Sequence, residues 1–91
     1  MAGKSTTTID FGSTPVADAS FTVTDAAISG TSVIEPFVQV TSTADNDTDA
    51  HRFAAVSWKM GAAAASGSFT LYVTCLAGLC TGTFTVQYAY A

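Results

Sequence analysis

Residues 68–90 read SFTLYVTCLAGLCTGTFTVQYAY. Two alternating runs flank a glycine-containing break. In the first, Phe69, Leu71, Val73 and Cys75 share one side, while Ser68, Thr70, Tyr72 and Thr74 share the other. In the second, Phe84, Val86, Tyr88 and Tyr90 oppose Thr83, Thr85, Gln87 and Ala89. A period of two is the mark of a strand with one face buried. The break LAGLCTG supplies Gly78 and Gly82 as turn residues. The two runs therefore predict a C-terminal β-hairpin. Keeping both apolar sets on one side of a sheet requires paired residue numbers with an odd sum. Pairing Cys75 with Cys80 meets that condition and sets Leu71 opposite Phe84 and Phe69 opposite Val86.

Upstream, TTIDF, ASFTVT and VIEPFVQVT read as further strands, separated by FGSTP and AAISGTS. Pro36 marks the third as an edge strand, a bulge or a bend. HRFAAVSWKM also alternates, with Ala54, Val56, Trp58 and Met60 on one face. GAAAASG reads as a small-residue connection, because four alanines between glycines are too few for a stable helix. About six strands at turn spacings of roughly 8–12 residues predict an all-β fold, a small antiparallel sandwich or barrel. The polar stretch at residues 1–7 reads as a flexible N-terminal arm, and residues 8–91 as a single β domain.

Composition narrows the function. Of the 91 residues, 48% are hydrophobic and only 11% charged, with a net charge of −4. Lys4, Arg52 and Lys59 are too few and too scattered to neutralise a phosphate backbone, which argues against direct nucleic-acid binding. No apolar run reaches the length of a membrane span. MAGKSTTT lacks the apolar core of a signal peptide, so the expected site of synthesis and assembly is the cytoplasm.

The most polar stretch is DNDTDAH at residues 45–51. Asp45, Asp47, Asp49 and His51 are the candidate metal ligands. The spacing matches the start of a calcium loop, but the positions that require Gly and Glu hold Ala50 and Val56. Zinc needs three or four convergent ligands, beyond what one histidine anchors. Asp and Asn also favour turns, so the preferred reading is a polar inter-strand loop and no metal or cofactor. GKST at residues 3–6 lacks the upstream half of a phosphate-binding loop. No nucleophile is placed beside His51 by a motif, so no catalytic residue is assigned and an enzyme is not expected. Cys75 and Cys80 are either free buried thiols or a disulfide. Trp58, Tyr72 and Tyr90 are the candidate interface or binding residues.

The segments Ile9-Asp10-Phe11-Gly12, Asp45 to His51 and Gly82-Thr83-Phe84 through Tyr90 together resemble a family of small phage-encoded virion-associated β proteins. The resemblance covers nearly all of the chain after residue 7. It implies a bacteriophage virion structural protein and carries no activity with it. The expectation is a capsid decoration protein that stabilises the head, self-associating as a homotrimer and binding the major capsid protein. The alternative is a tail-fibre or spike module that binds host-surface carbohydrate, using Trp58 or Tyr72 as a platform beside the acidic residues.

Overall fold

A computed structural model describes residues 3–91. Six strands and one helix follow in the order β1 (Gly3–Asp10), β2 (Asp18–Thr24), β3 (Ile34–Val38), α1 (Thr48–Ser57), β4 (Trp58–Ala65), β5 (Ser68–Cys75) and β6 (Thr83–Tyr90). They form two antiparallel three-stranded sheets, β1-β6-β3 and β2-β5-β4. The all-β fold expected from the alternation is the one adopted.

The C-terminal hairpin is not. β5 and β6 are the central strands of different sheets. Their apolar faces do not lie side by side but oppose each other across the core. Phe69 of β5 meets Tyr88 of β6 edge-on, with ring centroids 4.8 Å apart. Leu71 is therefore paired with Phe21 and Ala62 rather than Phe84, and Phe84 is paired with Ile9. Alternation fixes which face of a strand is buried; it does not distinguish a neighbour in the sheet from a neighbour across it. Here residues 76–82 carry the chain from one layer to the other. Phe69, Leu71, Val73, Phe84, Val86 and Tyr88 are all buried and make the centre of the core.

The expected arm is also corrected. Residues 3–7 are the first part of β1 and pair with β6 from Gly3↔Tyr90 to Thr7↔Val86; residues 1 and 2 of that arm lie outside the described residues. Thr6, Thr7 and Thr8 suit a pleated, half-exposed edge strand. Gly3 lets the Tyr90 ring lie flat on the backbone, where an added Cβ would come within 2.7 Å of the ring.

HRFAAVSWKM divides between a helix and a strand. Asp47 is the N-cap of α1: its backbone is extended and its Oδ1 accepts the Ala50 N–H at 2.8 Å. Asp49 sits in the first turn, where a negative charge complements the helix dipole. His51 and Ala54, three apart, are the buried residues of the helix, and Val56 is 80% exposed. A strand running through Val56 would have buried it. At Trp58 the backbone turns extended and β4 begins. The alanines expected as a connection belong to β4. Ala62 and Ala64 lie in register beside the bulky Leu71 and Phe69, so small and large side chains alternate across the inner face.

One hydrogen bond ties the two layers at their far end. The Tyr88 hydroxyl donates to Asp25 Oδ2 at 2.6 Å, just past the end of β2, while Asp25 Oδ1 accepts from Ala27 N–H at 2.9 Å. The Tyr88 bond, and then the Ala27 bond, hold the Asp25 carboxyl below its ordinary value. Burial first, and then the same bond, push the Tyr88 phenol up.

Candidate functional site

The acidic segment fastens the end of one sheet. β3 pairs only with residues 86–90 of β6, from Ile34↔Tyr90 to Val38↔Val86. Beyond it, Gln39 N–H reaches Thr85 O at 3.1 Å, and then the strand partner is gone. The remaining backbone groups on that edge of β6 are met by side chains. The Thr85 N–H donates to His51 Nε2 at 3.0 Å. Thr83 O accepts from Thr43 Oγ1 and from Asn46 Nδ2, both at 2.8 Å. Thr83 N–H and Thr83 Oγ1 donate to Asp45 Oδ2 at 3.0 and 2.8 Å. Unpaired backbone groups inside a protein are costly, which is why a strand edge of this kind needs partners. Residues 43–51 act as a side-chain replacement for the missing length of β3.

His51 is central to this arrangement. It is wholly buried, with Nδ1 3.0 Å from Asp47 O and its ring 5.0 Å from that of Phe84. Because Nε2 accepts a backbone N–H, the ring proton sits on Nδ1 and is donated to Asp47 O. Both ring nitrogens are thus occupied by backbone. Asp45 holds Thr83, Asp47 caps α1, and Asp49 pairs with Arg52 at 3.4 Å on the surface. The four candidate ligands each face a different partner. Among the described residues, no three His, Cys, Asp or Glu side chains converge to hold a metal ion.

Gly82 shows how tightly the segment is seated. Its φ is +73°, and a Cβ there would come within 2.6 Å of Asp45 Cβ. The glycine expected as a turn residue also makes room for the aspartate.

The feature with binding geometry lies next to this fastening. Between α1 and residues 77–81 is a cleft of about 220 Å³, walled by Phe53, Ala54 and Trp58 on one side and by Ala77, Leu79 and the two cysteines on the other. Asn46 and Thr81 supply polar groups at its margin. Phe53 and Leu79 are 57% and 66% exposed. Val56 and Leu76 are also exposed, on the same two segments, which are joined where Leu76 N–H donates to Ser57 O at 3.1 Å. Of the eight large exposed apolar side chains, Phe53 and Leu79 line this cleft, and Val56 and Leu76 belong to the two segments that form its walls. The sequence carried a signal for them in LAGL, with leucines flanking a glycine turn, and in the helical spacing of Phe53 and Val56.

Trp58 is half-buried and packs edge-on against Phe11 and Phe84, with centroids 5.3 and 4.8 Å away. It forms a wall of the cleft rather than an exposed platform. Tyr90 is half-buried over Gly3. Tyr72 is 53% exposed on the outer face of β2-β5-β4, between Ser20 and Gly61. The rows beside it are Asp18–Thr74–Lys59 and Thr22–Thr70–Ala63, so apart from Asp18 and Lys59 this face is built of small and hydroxylated residues. The carboxylate beside Tyr72 is Asp18, not the 45–49 cluster. Cys75 is buried, Cys80 is half-buried, and both are free thiols.

No protein-family model, no curated protein and no solved structure matches the chain. No helix among the described residues is long and apolar enough to cross a membrane.

Proposed function

We propose that this chain is a structural protein of a bacteriophage particle, and that it decorates and strengthens the capsid. The observation that carries the reading is the exposed apolar pair Phe53 and Leu79 on the cleft, with Val56 and Leu76 exposed on the same two segments. Contiguous exposed apolar surface rimmed by polar groups is the usual form of a protein-binding site. The outer face of β2-β5-β4, small and hydroxylated apart from Tyr72 and the Asp18–Lys59 row, supplies a second surface on which neighbours can pack. The resemblance of the two chain ends to virion-associated β proteins supports the same conclusion. In this reading the chain associates with itself as a homotrimer and seats the cleft on the major capsid protein.

The test is mass spectrometry and electron microscopy of purified particles. The chain should be found in stoichiometric amount on the head. Its absence from the particle would remove the proposal. Phe53→Ser combined with Leu79→Ser changes only exposed positions, so the fold should persist while re-addition to stripped heads is lost.

A second reading rests on Tyr72. An exposed aromatic ring flanked by the Ser20 hydroxyl and the Asp18 carboxylate is suited to stacking against a sugar. A tail-fibre or spike location would follow. A glycan array separates the two: a selective hit abolished by Tyr72→Ala favours the tail, and no hit favours the head.

A further inference from the structure

We propose that Cys75 and Cys80 form an oxidative cross-linking site, at which an intrachain disulfide closes the loop Leu76–Leu79. Backbone contacts alone bring the two residues together. Cys75 N–H donates to Ala17 O at 2.7 Å. Cys80 N–H donates to Val16 O at 2.8 Å, and Val16 N–H donates back to Cys80 O at 3.1 Å. Both cysteines are therefore pinned to adjacent residues of the lead-in to β2, although the strands they follow and precede lie in different sheets. On this frame the two Sγ atoms approach to 2.8 Å. The two sulfurs are already in contact, so only a short further approach separates them from a bond of about 2.05 Å.

The two thiols differ in access. Cys75 is buried at the end of β5, and its thiol is pushed up to about 12, by burial first and then by Cys80 and Asp18. Cys80 is half-buried on the cleft wall. Cys80 is the point of attack, because it is the more exposed of the two thiols and Cys75 is buried behind it. With a small-molecule disulfide as oxidant, the Cys80 thiolate attacks one sulfur, the reagent's S–S bond breaks, and one thiolate leaves. Cys75 then attacks the Cys80 sulfur of the mixed disulfide, and the second reagent thiolate leaves. The protons of the two cysteines end on the two leaving thiolates. One protein dithiol is oxidised and one reagent disulfide is reduced to two thiols.

The product has a consequence for the cleft. The closed loop carries the exposed Leu76 and Leu79, and Leu79 lines the cleft. Cross-linking removes conformational freedom from that loop before any partner arrives, so that less is lost on binding. The proposal stands whether or not the chain is a virion protein.

The full chain, purified with reductant, is equilibrated with oxidised glutathione, then denatured without reductant, alkylated and weighed. The expected product has lost the mass of two hydrogens, takes no alkyl label, and melts on the order of 10 °C above the reduced chain. Cys80→Ala and Cys75→Ala should each leave one thiol open to alkylation and abolish the rise. The wild-type comparison of oxidised with reduced chain needs no variant to fold. Two alkylated thiols after oxidation, a glutathione adduct that persists on Cys80, or a disulfide-linked dimer would each overturn the proposal.

Discussion

Replacing His51 by alanine should cost about 3–6 kcal/mol of folding stability. Two losses make up this figure. The Thr85 N–H, which now donates to His51 Nε2 at 3.0 Å, would be left without a partner at a cost of about 1–3 kcal/mol. The imidazole is wholly buried against Phe84, and truncating a buried side chain of this size costs about 2–5 kcal/mol, partly overlapping the first loss. A domain of this length has roughly 5–14 kcal/mol in total, so the variant should lie close to the limit of folding at room temperature. The assay is a urea titration followed by the fluorescence of Trp58, the chain's one tryptophan, whose ring contacts Phe84 beside His51. Asp47→Ala should cost about 1 kcal/mol through the lost helix cap. Asp49→Ala, at an exposed surface pair, should leave the midpoint unchanged. This steep ranking follows from a fastening role. Equal effects at all of these positions, together with a wild-type midpoint raised by zinc or calcium, would instead show a shared metal site and refute the reasoning. So would a His51→Ala cost below about 1 kcal/mol.

Two further perturbations test other contacts. Gly82→Ala should destabilise more than Gly12→Ala. Both glycines have positive φ, which costs an L-residue about 1–2 kcal/mol, but only at Gly82 would the new Cβ also collide with Asp45; equal midpoints in urea would show that the 43–51 segment yields freely. Tyr88→Phe should flatten both ends of the stability–pH profile measured by thermal melts. The Asp25 carboxyl is lowered from 3.8, so its contribution is present above that value and is lost as pH falls through the folded value. The Tyr88 phenol is raised from 10.0, so its contribution is present below that value and is lost as pH rises toward the folded value. A variant that keeps both limbs would exclude the Tyr88–Asp25 bond as their origin.

Much of the core was legible in the sequence. The alternation in SFTLYVTC and GTFTVQYAY named the buried residues of β5 and β6, with Tyr90 only half-buried at the end of its face. Which strand each one pairs with was not legible, because a face-to-face partner and a side-by-side partner demand the same pattern. The helix was hidden for a related reason. Ala54, Val56 and Trp58 are all apolar or small, so a period of two and the His51–Ala54 step of a helix fit the same letters. The cap at Asp47 was present in the sequence, but the preceding aspartate and asparagine made it look like a turn. Cys75 and Cys80 are adjacent as the hairpin register required, yet residues 16 and 17 bring them together rather than a hairpin. The role of His51 depends on where β3 stops relative to β6, a tertiary fact with no local signature.

The edge of β6 beyond Val38 has one more consequence. Where two strands of the sheet are hydrogen-bonded, an amide hydrogen is released only when they separate. At Thr83 and Thr85 it is released when a carboxylate or an imidazole rotates away. Solvent exchange at these two amides is therefore set by the lifetime of side-chain rotamers and by fraying of the first turn of α1. Thr85, held by a buried ring, should be the slower of the pair, and its exchange reports the opening of the helix from the sandwich while both sheets remain intact.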